Sequence, residues 1–151
     1  MATRLLIMGA SLHKNVSSGL LPAIQRYDSP RWQTLRETLP EVTAAPRIIA
    51  ISPKYGFISA SQQIEFYVKE WRGSTWRREL PQLLYLYGRV LRPAIDLRTD
   101  IFLSANGPHV QLLNACGFQQ DVLDRQASVI VPSPLISLSN QELRQWLLKG
   151  N

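Results

Sequence analysis

The stretch "RIIAISPKYGFI", residues 47–58, decides the fold. From Ile48 to Ile51 it is a continuous apolar run, and then Ser52, Pro53, Lys54, Tyr55 and Gly56 follow abruptly. An alternating pattern would mark a strand with one wet face, whereas a continuous run marks a strand covered on both faces, as in a parallel sheet with helices above and below. The polar residues then belong to the strand's carboxyl end. Open parallel sheets bind ligands there, because backbone donors and helix N-termini converge on that edge.

Three similar runs occur elsewhere: RLLIM (4–8), DIFLS (100–104) and SVIVP (128–132). With helical material between them, they predict an α/β fold with a mainly parallel sheet of at least four strands, helices on both faces, and a single domain over residues 1–151. Ser29 and Pro30 form an N-cap and first-turn pair for a helix carrying Trp32, Leu35 and Leu39 and stopped by Pro40. Gly107 and Pro108 open another helix, which Gly117 closes. Ser139 with Glu142 reads as a capping box and Leu138 with Leu143 as a hydrophobic staple, predicting a last helix through Leu148. The longest helix is expected within 75–92. There Trp76, Leu80, Leu83, Leu84, Tyr87 and Leu91 share one face and Arg78, Tyr85, Arg89 and Arg92 the opposite one, with Pro81 marking a kink or the true start.

The 151 residues are 45% hydrophobic and 19% charged, which excludes a disordered chain, and no apolar run approaches the ~20 residues needed to span a bilayer. A cytoplasmic protein with no membrane association is expected. The single cysteine, Cys116, reads as an inert packing thiol. The formal charge is +6, and arginine supplies thirteen of the seventeen basic residues, a composition suited to bidentate contacts with phosphate or carboxylate. Seven of those basic residues fall between Lys69 and Arg98, so nucleic acid or an acidic protein is a candidate partner. Two histidines without clustered cysteines or paired carboxylates argue against a metal site, and no phosphate-binding glycine loop of the Walker or dinucleotide type is present. No cofactor is expected.

The exits of the four strands supply the candidate site. Ser11, Lys14, Ser52, Tyr55, Gly56, Ser104, Asn106 and Gly107 are the candidate ligand-binding residues. Gly107 lets backbone approach a ligand at a helix N-terminus, and Tyr55 offers a face to stack on a base. Lys54 presents an ammonium at the second exit, and Glu65 is the acid near the exits that could act as a general base, with Tyr67 beside it. His13 reads as an exposed loop histidine. Arg78, Tyr85, Arg89 and Arg92 form the candidate nucleic-acid stripe, since aromatic tips among arginines suit stacking plus phosphate pairing.

"ISPKYGFI" followed by "QQIEFY" resembles the LSAKYGLL…IxPYD signature of the bacterial YaaA-like proteins and of a shorter, related family. In the shorter family "IQRYDSPRWQTLR" (24–36) is similar to an LYxGPLFxxAR segment, "GASLHKN" to the opening GCSKxK loop, and "LSANGPHV" to a later LAGxxYV stretch. Position by position the resemblance implies signature roles for Ser11, Lys14, Tyr27, Pro30, Ser52, Lys54, Tyr55, Gly56, Glu65, Tyr67 and Gly107. Ala10 stands where the family has cysteine, Phe66 where it has proline and Val68 where it has aspartate, which weakens any carboxylate-dependent chemistry. The resemblance implies a cytoplasmic α/β protein tied to the peroxide stress response and DNA binding, with some relatives linked to deazaguanine base modification.

Three readings follow. The first is a YaaA-like protein binding a nucleotide, nucleobase or nucleic-acid segment at a strand-end pocket. The second is an enzyme, a transferase or hydrolase acting on a nucleobase or glycosidic bond, with Glu65, Tyr67 and Lys54 as catalytic residues. The third is a protein-interaction subunit that uses the basic helix and keeps a vestigial pocket. Whether the chain is an enzyme, and its oligomeric state, stay open at this level.

Overall fold

The four continuous apolar runs are four parallel strands in the computed structural model, which describes residues 3–149. They are Arg4–Gly9 (β1), Arg47–Ser52 (β3), Asp100–Ser104 (β6) and Ser128–Ile130 (β7). Between β1 and β3 lies a short strand, Leu21–Pro22 (β2); after β3 come Gly56–Ser59 (β4) and Gln63–Ile64 (β5). The main sheet has five strands in the order β4-β3-β1-β6-β7, and β2 and β5 pair apart from it. The fold is α/β.

Both faces of the sheet are buried, as continuous rather than alternating strands require. Leu5, Ile7, Ile49, Ile51, Ile101 and Leu103 point to one side, where they meet Leu80–Leu86 (α3), Gly107–Ala115 (α4) and Phe118–Asp124 (α5). Leu6, Met8, Ala50 and Phe102 point to the other, against Ala23–Arg26 (α1), Pro30–Thr38 (α2) and Ile136–Leu148 (α6). Each fully buried Leu, Ile or Phe contributes about 1.5–3 kcal/mol of transfer free energy, so this two-sided core dominates the stability. Cys116 is part of it, and burial pushes its thiol up to about 11, so it is not poised as a thiolate.

The connections position the site. The chain leaves β1 through α2 to reach β3 on one side, and leaves β6 through α4 and α5 to reach β7 on the other. The crossovers diverge between β1 and β6, and a crevice opens at the carboxyl ends of this pair, as at other topological switch points.

Helix starts at Pro30 and Gly107 agree with the sequence. Ser29 Oγ accepts from the Trp32 amide (3.5 Å), Asn106 Oδ1 accepts from the His109 amide (3.2 Å), and Gly117 sits at φ +88° where α4 ends. Elsewhere the structure departs from the expectation. The last helix starts at Ile136, a turn earlier than the expected cap. Ser139 lies inside it at 1% exposure and donates to the Ile136 carbonyl (3.0 Å), while Glu142 accepts from the Ser133 amide (3.3 Å) instead of closing a box. Leu138 is 45% exposed and does not staple Leu143.

Residues 75–92 do not form one helix. A 3-10 turn (Thr75–Glu79) precedes α3, and a π turn (Tyr87–Leu91) and another 3-10 turn (Arg92–Ala94) follow it, with Pro81 in the first turn of α3. These changes of winding alter the phase of the helical periodicity, so Leu84 is 41% exposed although Leu83 and Tyr87 are buried. Ser52 to Gly56, expected as an open strand exit, is a tight hairpin that pairs Ser52 with Gly56 and runs straight into antiparallel β4. Gly56 has φ +77°, a conformation favouring glycine, and a Cβ there would come within 2.5 Å of Leu86 Cδ1.

Candidate functional site

At the crevice between β1 and β6 the structure has two adjoining hollows. The larger, about 310 Å³, is lined by Gly9 to His13 from the β1 exit, Ser29 to Trp32 from the start of α2, Ser104 to Asn106 and His109 from the β6 exit and α4, and Ile136 at the start of α6. The smaller, about 110 Å³, shares Ala10, Ser11, Leu12, Asn106 and His109 with it and adds Lys14, Pro53, Tyr67, Lys69, Glu70 and Trp71. The exits of β1 and β6 thus meet on one edge, and the second strand's exit reaches it through Pro53.

The polar end of the larger cleft gathers helix starts and a guanidinium. Residues at the starts of three helices, α2, α4 and α6, line it, so the positive ends of three helix dipoles lie at its wall. Arg31, in the first turn of α2, adds a partly buried guanidinium that has no ion-pair partner among the described residues. Its Nη2 donates to Ser139 Oγ at 3.4 Å, its Nε is buried without an acceptor, and burial holds its pKa below the usual value. Among the described residues no carboxylate lines this cleft. The rest of its wall is largely apolar: Ala10, Leu12, Pro30, Trp32, Ala105 and Ile136.

Two further polar side chains at this cleft have a buried atom without a hydrogen-bond partner among the described residues. Ser104 is 1% exposed and His109 5% exposed, yet Ser104 Oγ and His109 Nδ1 make no hydrogen bond. Burial pushes the His109 imidazole down to about 4, so it is neutral at physiological pH. Its ring packs edge-on against Trp71 (5.7 Å between centroids) and lies directly over Gly9, where a Cβ would come within 2.5 Å of Nδ1. Gly9 is therefore needed for close approach, and Trp32 Nε1 donates to its carbonyl (3.0 Å).

The loop after β1 is pinned by backbone pairing. Lys14 bridges to Tyr27, Asp28 N donates to the His13 carbonyl (2.9 Å), and Asn15 N donates to the Arg26 carbonyl (2.8 Å). Arg26, completely buried, donates to the carbonyls of Asn15 (2.7 Å), Ser17 (2.8 Å), Gly19 (2.6 Å) and Ile64 (3.3 Å) and so holds the loop in shape. Lys14 Nζ is thereby placed 4.4 Å from the centre of the Tyr67 ring. Burial lowers the Lys14 pKa, with the nearby Glu70 charge opposing the shift.

The remaining expected residues divide into groups. Ser11, Lys14, Ser104 and Asn106 lie at the hollows, and Gly107 starts α4 just behind Asn106. Ser52 and Tyr67 belong to a buried chain of hydroxyls: Tyr67 shares hydrogen bonds with Tyr27 (2.6 Å) and Ser52 (3.0 Å), and Ser52 Oγ accepts from the Tyr55 amide (3.1 Å). Burial raises the pKa of both Tyr27 and Tyr67, so these phenols stay protonated. Tyr67 contributes its ring to the smaller hollow. Tyr55, Gly56, Lys54 and Glu65 line neither hollow; Lys54 and Glu65 are exposed and pair with each other at 3.5 Å, and Tyr55 Oη accepts from the Glu65 amide (3.1 Å).

On the basic stripe, Arg78, Tyr85, Arg89 and Arg92 are all exposed, with Arg89 5.7 Å from the Tyr85 ring. Arg92 is partly neutralised by Asp121 (3.2 Å), which also accepts from the Tyr87 hydroxyl (2.6 Å). Sequence reasoning missed Arg31 and His109. His109 lies in the first turn of the helix that follows β6, whereas Arg31 meets the β1 exit only through the packing of α2.

No cluster of three or more His, Cys, Asp or Glu able to hold a metal occurs among the described residues, and none of the helices is long and apolar enough to cross a membrane. Comparison with protein-family models, curated proteins and solved structures finds no match.

Proposed function

We propose that the chain binds a small phosphorylated ligand of the nucleotide class in the crevice between β1 and β6. The observation that carries this reading is the Arg31 guanidinium, left without a carboxylate partner among the described residues at a cleft lined by the starts of three helices. Such an arrangement favours a dianion, and the apolar walls of Leu12, Pro30 and Ile136 favour a ring system attached to it. A volume of about 310 Å³ suits a mononucleotide-sized ligand rather than a dinucleotide. Binding is preferred over catalysis by a carboxylate base, because Glu65 is exposed, paired with Lys54 and outside both hollows.

Titration calorimetry with a nucleoside 5′-monophosphate, the matching nucleoside and inorganic phosphate tests the reading. The expected result is that the monophosphate binds more tightly than the nucleoside by about tenfold or more, the worth of one or two charge-assisted hydrogen bonds, and that Arg31→Gln removes the difference. Equal affinity for nucleoside and nucleotide, or a monophosphate that does not bind, would overturn it.

A further inference from the structure

The smaller hollow has its own charge arrangement. Of the three charged side chains lining it, Lys69 is engaged by Glu79, and Glu70 accepts from Arg72 Nε (2.9 Å). Lys14 has no ion-pair partner within reach among the described residues; its ammonium lies over the Tyr67 ring and donates only a long hydrogen bond (3.5 Å) to the Leu12 carbonyl. At about 110 Å³ the hollow takes a group the size of a phosphate or carboxylate and not a nucleobase. It adjoins the larger cleft, with which it shares Ser11, Asn106 and His109.

Arg31 lines the larger hollow, Lys14 the smaller and His109 both; neither cation has a carboxylate at ion-pair distance among the described residues, although the Glu70 charge acts on Lys14. The imidazole lines both hollows, and its buried Nδ1 has no hydrogen-bond partner among the described residues. A neutral imidazole common to both hollows, with an unpartnered nitrogen, suits a neutral hydroxyl-bearing linker, to which it can offer one hydrogen bond without adding charge. Glu70 also lines the smaller hollow, and its charge acts on Lys14. Its charge opposes an anion there, but Arg72 partly offsets it, whereas nothing offsets Lys14 at ion-pair distance.

We infer that the ligand carries two anionic groups separated by a short neutral linker, one held by Arg31 and the helix N-termini and the other by Lys14, with His109 against the linker. Nucleoside and sugar bisphosphates have this chemistry. The inference rests on the nucleotide reading proposed above and specifies the class of ligand within it.

Calorimetry with three probes tests it: a nucleoside 5′-monophosphate, the corresponding 3′,5′-bisphosphate, and the 5′-diphosphate, which carries its charges at one end. The wild-type protein is expected to bind the 3′,5′-bisphosphate about tenfold more tightly than the monophosphate. Lys14→Gln should abolish that gain, so that mono- and bisphosphate bind the variant alike, while Lys14→Arg, which keeps the charge, should retain part of it. Circular dichroism of both variants checks that the loop change leaves the fold intact. A bisphosphate no tighter than the monophosphate, a gain that survives Lys14→Gln, or an equal Lys14-dependent gain for the 5′-diphosphate would overturn the inference while leaving the nucleotide reading standing. Failure of the monophosphate itself to bind would overturn both.

Discussion

Acidification should destabilise this protein through His109, and the size of the effect can be worked out. The imidazole has an ordinary pKa of 6.5 when the chain is unfolded and about 4 in the buried position over Gly9. Between those values the unfolded chain binds a proton that the folded chain refuses, so stability rises with pH across the window and is lost as pH falls from 6.5 toward 4. Two and a half units correspond to about 3 kcal/mol once pH is below 4, and to about 2 kcal/mol at pH 5. No discount for solvent is due at 5% exposure.

The assay is urea unfolding at pH 7 and pH 5 for the wild type and for His109→Gln, which cannot titrate. Glu79, whose carboxyl is held below its ordinary value, against the effect of burial, by its bonds to Lys69 and Trp71, changes in both proteins and cancels. The wild type should lose about 2 kcal/mol more than the variant, roughly 1 M in the urea midpoint. With two histidines in the chain, a proton-NMR titration of His13→Asn follows His109 alone. An imidazole that titrates near 6.5, or equal acid sensitivity in wild type and variant, would refute the argument that burial without a partner keeps this ring neutral.

Gly9→Ala should cost about 1–3 kcal/mol and displace the His109 ring, because the new methyl collides with Nδ1; thermal denaturation and the His109 resonance read the two effects. Arg26→Met should cost more than about 3 kcal/mol, since four carbonyls lose a charged donor at once, and Arg26→Lys should recover little because an ammonium cannot reproduce the fork; chemical denaturation checks both. If nucleic acid binds along the basic stripe, Arg78→Gln with Arg89→Gln should reduce the slope of log affinity against log salt by about 2, and Arg92→Gln by less because Asp121 already holds it; a slope unchanged by the double substitution would count against that surface.

The composition of the strands determined the sheet. Ile48 to Ile51 and its three counterparts are continuous apolar runs, and a strand buried on both faces has little choice but a parallel sheet under two helical layers. Ser29–Pro30 and Gly107–Pro108 announced their helices because capping is decided within a few residues. Local chemistry of that kind is legible in one dimension. The winding of residues 75–94 was not, because 3-10 and π turns arise from how Trp76, Leu83 and Tyr87 must reach one core, and Ser139 lost its capping role when α6 extended past it.

Strand-end logic located Ser11, Lys14, Ser104 and Asn106 at the crevice, since every parallel strand exits on the same edge. It could not distinguish a strand that exits into a loop from one that turns back into β4, which is why Lys54 and Gly56 lie apart from the hollows. Nor could it assign Arg31 and His109. What makes those two side chains notable is the absence of a nearby partner, and whether a carboxylate ends up beside a guanidinium, or an acceptor beside an imidazole, depends on segments far apart in the chain and is settled only when they pack.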